Sequence, residues 1–180
     1  LQDVLKLLSK VDFEFGILDD EPLSCVHYLA VGLDNIAELY IRKLYKKFDN
    51  VKKVIVTNPA AATAMLNIYP MYVDGFNIEV EHYLNILLSR IDKIKPQYLK
   101  KDAVIVHDCH QWGRNLRDLN VAEAMRTLLE NLNVTIEETK HAKNRVICCG
   151  APISLIDSKT ALILGRDKLN ELLESIRETN

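Results

Sequence analysis

The chain has 180 residues, 48% hydrophobic and 27% charged, with 23 basic against 25 acidic side chains and a formal net charge of -2. This is the composition of an ordinary globular chain, long enough for one domain or two small halves, and its charge balance advertises no face for nucleic acid or anionic lipid. The longest apolar runs are of strand length and Leu1-Gln2-Asp3-Val4 lacks the basic start of a secretory signal, so neither direct membrane insertion nor export is expected.

Taken in chain order, strand-like and helix-like runs alternate. A helix is predicted over Asp3 to Lys10 and a strand over Phe13 to Leu18. The strongest helical pattern is Leu33 to Phe48, where Leu33, Ile36, Ala37, Tyr40, Ile41, Leu44, Tyr45 and Phe48 recur at helical spacing while Arg42, Lys43, Lys46 and Lys47 fall opposite. Val54 to Thr57 reads as a strand, and Asn58-Pro59 as a helix start with Asn at the cap and Pro at the first helical position. Then come a strand over Asn77 to Val80, a helix over Tyr83 to Ile94 and a strand over Ala103 to His107. Val121 to Leu132 is a helix whose Asn120 and Glu123 approximate a capping box. Strands over Val134 to Glu137 and Arg145 to Cys148 follow, and a helix over Lys159 to Arg177 closes the sequence. Alternation of this kind predicts an α/β protein, built as two similar halves, each a small, mostly parallel sheet flanked by helices.

Three of the four cysteines sit where such a fold concentrates ligands. Cys109 follows the strand ending at His107, and Cys148-Cys149 close the run Arg145-Val146-Ile147, immediately before Gly150. Open α/β sheets bind ligands at the carboxyl edges of their strands. Four cysteines are too few for a disulfide scaffold, and a vicinal pair beside a glycine suits a cluster or metal better than a structural disulfide. His110, beside Cys109, is a spare nitrogen donor, and three thiolates with His110 would make a Cys₃His zinc tetrahedron. His27, His82 and His141 are read as structural, and Arg114 as an ion-pair partner for Asp108 or for an anion of a partner. Cys25, alone, reads as a buried small hydrophobe. The six glycines contain no Gly-x-Gly-x-x-Gly, and no nucleophile elbow or phosphate loop is present.

The runs His107-Asp108-Cys109-His110-Gln111-Trp112-Gly113-Arg114 and Cys148-Cys149-Gly150-Ala151 resemble the cysteine-rich CCG domain of heterodisulfide reductase B-type and D-type subunits. That domain also occurs in iron-sulfur subunits of glycolate oxidase, lactate utilisation and anaerobic glycerol-3-phosphate dehydrogenase systems. Its repeat places a cysteine in a His-Asp-Pro-Cys-His context, then Cys-Cys-Gly, then Cys-Pro-x-Cys. Ser24-Cys25-Val26 and Thr57-Asn58-Pro59-Ala60-Ala61 resemble the second and third elements of a preceding repeat that has lost its ligands. The resemblance implies a degenerate first repeat over 1–76, without a cluster, and a second repeat over 77–180 whose final Cys-Pro-x-Cys would fall just past Asn180. It further implies a [4Fe-4S]-type cluster on Cys109, Cys148 and Cys149, with zinc as the alternative or no metal at all in this chain. The implied role is electron transfer or thiol/disulfide redox chemistry in a cytoplasmic complex with ferredoxin-like or flavoprotein subunits, reaching a membrane only through those partners. The alternative is a scaffold module that kept the fold without the chemistry.

Overall fold

The computed structural model describes residues 1–19, 24–95 and 103–178, with side chains through Ile176. The chain divides into two compact units, Leu1–Leu87 and Leu88–Asn180. Each is α/β, with one parallel pair of strands flanked by helices.

In the first unit α1 (Gln2–Lys10) leads to an irregular stretch, then α2 (Val26–Ala30) and α3 (Asp34–Lys47). No strand forms over Phe13 to Leu18; Asp12 adopts φ +54° and the Phe13 N–H turns back to the Leu8 carbonyl, so the chain leaves the helix in a turn. On α3 only the central stripe is covered. Ala37, Ile41 and Leu44 are buried, whereas Leu33, Ile36 and Tyr40 stay exposed, so the apolar face is wider than the surface that receives it. β1 (Lys53–Val56) pairs in parallel with β2 (Glu79–His82), in the register Val54 to Val80 and Val56 to His82.

The crossover between them carries three helical segments, α4 (Pro59–Thr63), a π turn over Ala64–Ile68, and α5 (Tyr69–Tyr72), before a turn leads into β2. Asn58 caps α4 as expected, its Oδ1 accepting from the N–H groups of Ala60 (2.7 Å) and Ala61 (3.3 Å), with Pro59 at the first position. Pro70, which has no N–H to give the preceding turn, accounts for the widened π turn ahead of it. Tyr69 is fully buried and its hydroxyl donates to the Ser24 carbonyl.

α6 (Tyr83–Ser89) ends the first unit, and a short 3₁₀ turn over Ile91–Lys93 follows. In the second unit β3 (Ala103–Ile105) pairs in parallel with β4 (Thr135–Glu137), Val104 opposite Ile136. Their crossover holds a π turn over Gln111–Asn115, a 3₁₀ turn over Arg117–Leu119 and α7 (Val121–Asn131). Asn120 forms no capping box: it takes φ +52°, its side chain makes no cap hydrogen bond, and Glu123 pairs with Lys143 instead. After β4 come 3₁₀ turns over Lys143–Arg145 and Ala151–Ile153, then α8 (Ser158–Glu178). The strand expected over Arg145 to Cys148 does not form. The turn at Lys143, with φ +54°, enters this stretch, and Val146 to Cys149 is extended without a ladder partner among the described residues. No described helix is long and apolar enough to cross a membrane.

The core of the first unit sets two expectations. Ile41→Ala removes a side chain with no exposure and should destabilise that unit by about 2–5 kcal/mol, while Leu39→Ala on the exposed side of α3 should change stability by less than about 0.5 kcal/mol; urea unfolding of both variants measures the contrast. Burial also pushes the His82 imidazole down to about 4, so the unfolded chain binds a proton there that the folded chain refuses. Stability should therefore fall as pH drops from about 6.5 towards about 4, and level off below. Amide exchange at β1 and β2 across that window, compared with His82→Asn, should show the slope flatten in the variant.

Candidate functional site

The chemistry-bearing residues of the second unit lie on two segments, the loop after β3 and the stretch that precedes α8. Cys109 lies four residues past Ile105, on the loop that turns into the π turn over Gln111–Asn115. That turn closes with the Leu116 N–H on the Gln111 carbonyl (2.8 Å), and the N–H groups of Gln111 and Trp112 are directed at the Cys109 sulfur. Burial pushes the Cys109 thiol up, the two N–H groups pull it down, and the nearby thiols of Cys149 and Cys148 push it up again, leaving it above its ordinary value. Cys148 accepts the Gly150 N–H at 3.3 Å. All three thiols are half-buried and unpaired by disulfides, whereas Cys25, in the first unit, is fully buried, left-handed at φ +63° and desolvated.

Two glycines let the thiol-bearing segments approach their neighbours. A Cβ on Gly113 would lie 2.0 Å from the Lys143 carbonyl oxygen, and one on Gly150 would lie 2.5 Å from the Ala161 oxygen of α8. Gly150 also takes φ +84°, which disfavours any side chain. Gly165, one turn along α8 from Ala161, leaves room for the Cys149 carbonyl. A shallow apolar cleft of about 370 Å³ opens beside Cys149, walled by Gly150, Ala151, Ala161 and Leu162, with Ser154 and Ser158 at its rim.

Behind the thiols lies a buried ionic network that the sequence pattern did not single out. Arg126 on α7 has its side chain 5% exposed and uses all five of its N–H donors. Nη1 donates to Asp108 Oδ1 (3.0 Å) and the Ala122 carbonyl (2.8 Å), Nη2 to Asp108 Oδ2 (2.8 Å) and Glu138 Oε2 (2.7 Å), and Nε to Glu138 Oε1. Asp108 Oδ2 also accepts the Lys143 N–H at 2.7 Å. Burial would raise the Asp108 carboxyl, yet Arg126 and the Lys143 N–H hold it below its usual value. Asp108 is thus occupied by Arg126, and Arg114 instead reaches the Arg145 carbonyl. A second pair, Lys168 to Glu171 on α8 (2.8 Å), is buried as well, and Glu171 accepts the His141 N–H and its ring nitrogen. Periodicity could not have found either cation. A lone Arg or Lys on a helix reads as a solvated face until its carboxylates are located.

Among the described residues no set of three or more His, Cys, Asp or Glu side chains stands in a metal-binding arrangement. His110, at the head of the π turn, is pushed down by burial and by Arg114 and so favours the neutral imidazole, the ligating form.

No protein-family model and no solved structure matches the chain. A curated relative does. It is an EtfAB:quinone oxidoreductase of Syntrophomonas wolfei subsp. wolfei, 31% identical over 153 residues that cover 82% of this chain and 21% of that protein. The chain spans about a fifth of the length of this relative.

The close approach at Gly113 gives a stability test. Gly113→Ala must push its Cβ into backbone, where no flexible side chain can yield, and should cost about 1–3 kcal/mol or more. Gly16→Ala meets nothing within 4 Å and should stay within about 0.5 kcal/mol of the parent. Denaturant midpoints of the two variants decide it.

Proposed function

We propose that this chain is an iron-sulfur electron-transfer module of an oxidoreductase complex of heterodisulfide-reductase type, with Cys109, Cys148 and Cys149 as ligands of a [4Fe-4S]-type cluster. One observation supports the reading: the residue before Cys109 binds the backbone of the segment that leads to Cys148-Cys149, Asp108 Oδ2 accepting the Lys143 N–H at 2.7 Å, and the Gly150 N–H donates to the Cys148 sulfur at 3.3 Å. Thiolates are the donors iron-sulfur clusters use, and N–H groups aimed at sulfur are among the means by which proteins set cluster potentials. The three thiols would supply three of the four donors that a cubane takes from protein. The fourth donor is His110 or a group outside the described residues. The cluster would supply the one-electron step; the chain's own part is to hold it, to donate hydrogen bonds to its sulfurs and to keep one side dry against the apolar cleft beside Cys149. The relative's name, that of an oxidoreductase, supports the same class of chemistry. Ferredoxin-like or flavoprotein subunits are the matching electron partners.

Anaerobic reconstitution with iron and sulfide tests the proposal. The parent should take up one cluster per chain, with broad visible absorption and an EPR signal on reduction or oxidation. Cys109→Ser, Cys148→Ser and Cys149→Ser should each lose most of the iron, His110→Ala should reveal whether the imidazole is the fourth donor, and Cys25→Ser should leave iron and spectrum unchanged. Binding of zinc with no iron, accompanied by unfolding on chelation, would instead establish a structural metal site, where binding energy is also folding energy.

A further inference from the structure

We infer that Arg126 is the positioning residue of the thiol site: it holds the Cys109 segment against the segment leading to Cys148-Cys149. The inference rests on the reading that these three thiols act as one ligand set, and it concerns a residue that touches none of them. Asp108 immediately precedes Cys109. Its two carboxylate oxygens are both taken by the Arg126 fork, and Oδ2 additionally takes the Lys143 N–H. Lys143 therefore has its N–H fixed by the residue before Cys109, while its carbonyl oxygen lies against Gly113, four residues after Cys109. The Cys109 loop grips one peptide of the opposite segment from both sides, and Arg126 is what fixes the orientation of the gripping carboxylate. The guanidinium is itself immobilised, because Glu138 takes two more of its N–H groups and the Ala122 carbonyl the last.

Stability alone does not explain this arrangement. Buried ion pairs of this sort are often matched or exceeded in stability by apolar residues of similar volume, whereas a bidentate fork fixes direction as well as distance. A lysine in the same place would keep the charge and lose the fork. The structural consequence of losing the fork is specific: Asp108 becomes free to rotate, Lys143 loses its anchor, and the distance from Cys109 to Cys148 and Cys149 is no longer set.

The test uses the whole chain, reduced and metal-free, with Cys149→Ser in every sample, this single variant being the parent of the comparison, so that phenylarsine oxide, whose trivalent arsenic two thiols bridge, must span Cys109 and Cys148. Arg126→Met and the milder Arg126→Lys are compared with Leu128→Ala, which perturbs the same helix at a buried site without touching Asp108. The expected result is at least a tenfold loss of arsenical affinity in Arg126→Met and a smaller loss in Arg126→Lys. Leu128→Ala should keep the parent's affinity even where its melting temperature falls as far. Far-UV circular dichroism should match the parent in each, and the reaction of single thiols with a monofunctional maleimide should be unchanged. Parent-like arsenical affinity in a folded Arg126→Met or Arg126→Lys, or an equal loss in Leu128→Ala, would overturn the inference while leaving the thiol set intact. If the parent itself fails to bind the arsenical, the shared ligand set fails, and the positioning role falls with it.

Discussion

The second unit depends on how a buried guanidinium is satisfied. Arg126 is taken out of water almost completely, and an isolated charge in that position would be prohibitively costly. It is tolerated because each of its five N–H groups meets an oxygen, four of them from two carboxylates and one from its own helix. Satisfying the charge dictates geometry. Glu138, just after β4, and Asp108, just after β3, must approach α7 from two strand ends at once. The parallel pairing of Val104 with Ile136 sets those ends side by side, so the sheet, the helix and the ionic network are mutually consistent. A two-stranded sheet is marginal by itself, and here the carboxylates beyond its strands add a third tie.

The vicinal cysteines are seated differently, by close packing. The Cys-Cys-Gly turn rests on α8 where Ala161 and Gly165 present small residues one turn apart, and where the backbone of Gly150 meets the Ala161 oxygen without a Cβ between them. α8 is in turn tied to the segment before the cysteines through Glu171, which accepts the His141 N–H and is balanced by the buried Lys168. The stretch 141–143 is thus held at both ends by carboxylates that accept its backbone amides: Glu171 at His141 and Asp108 at Lys143. Cys148 and Cys149 leave this anchored stretch through Val146, which has no exposure. Thiols on such a lead-in are placed by backbone hydrogen bonds and packing, not by the reach of long side chains.

Much of the fold was legible because periodicity reports burial. α3, α7 and α8 fall within a residue or two of their expected limits, and the Asn58-Pro59 start behaves as its chemistry dictates. The misreadings share a cause. Phe13 to Leu18 and Arg145 to Cys148 have strand-like composition, but a strand is defined by a partner, and the local sequence does not say whether one is available. Asn120 carries a cap signal that its left-handed backbone overrides. For the candidate site, the sequence placed Cys109 on the loop after β3, where the structure has it. Arg126 and Lys168 were invisible, because nothing local distinguishes a buried, fully paired cation from a solvated one.

The contrast between Cys25 and Cys109 shows what a thiol needs beyond proximity to a helix. Both have their pKa raised by burial. Cys25 sits at the left-handed start of α2 with full burial, so its thiol is an apolar filler whose ionisation the surroundings oppose. Cys109 is only half-buried, receives two N–H groups that favour a thiolate, and has two other thiols within electrostatic reach. Mutual repulsion among thiolates is a cost in the protein alone, and it becomes an attraction once a cation sits among them, because the same proximity lets three negative donors share one positive centre. What the structure shows directly is the tie between the two segments: Asp108, held by the Arg126 fork, accepts the Lys143 N–H.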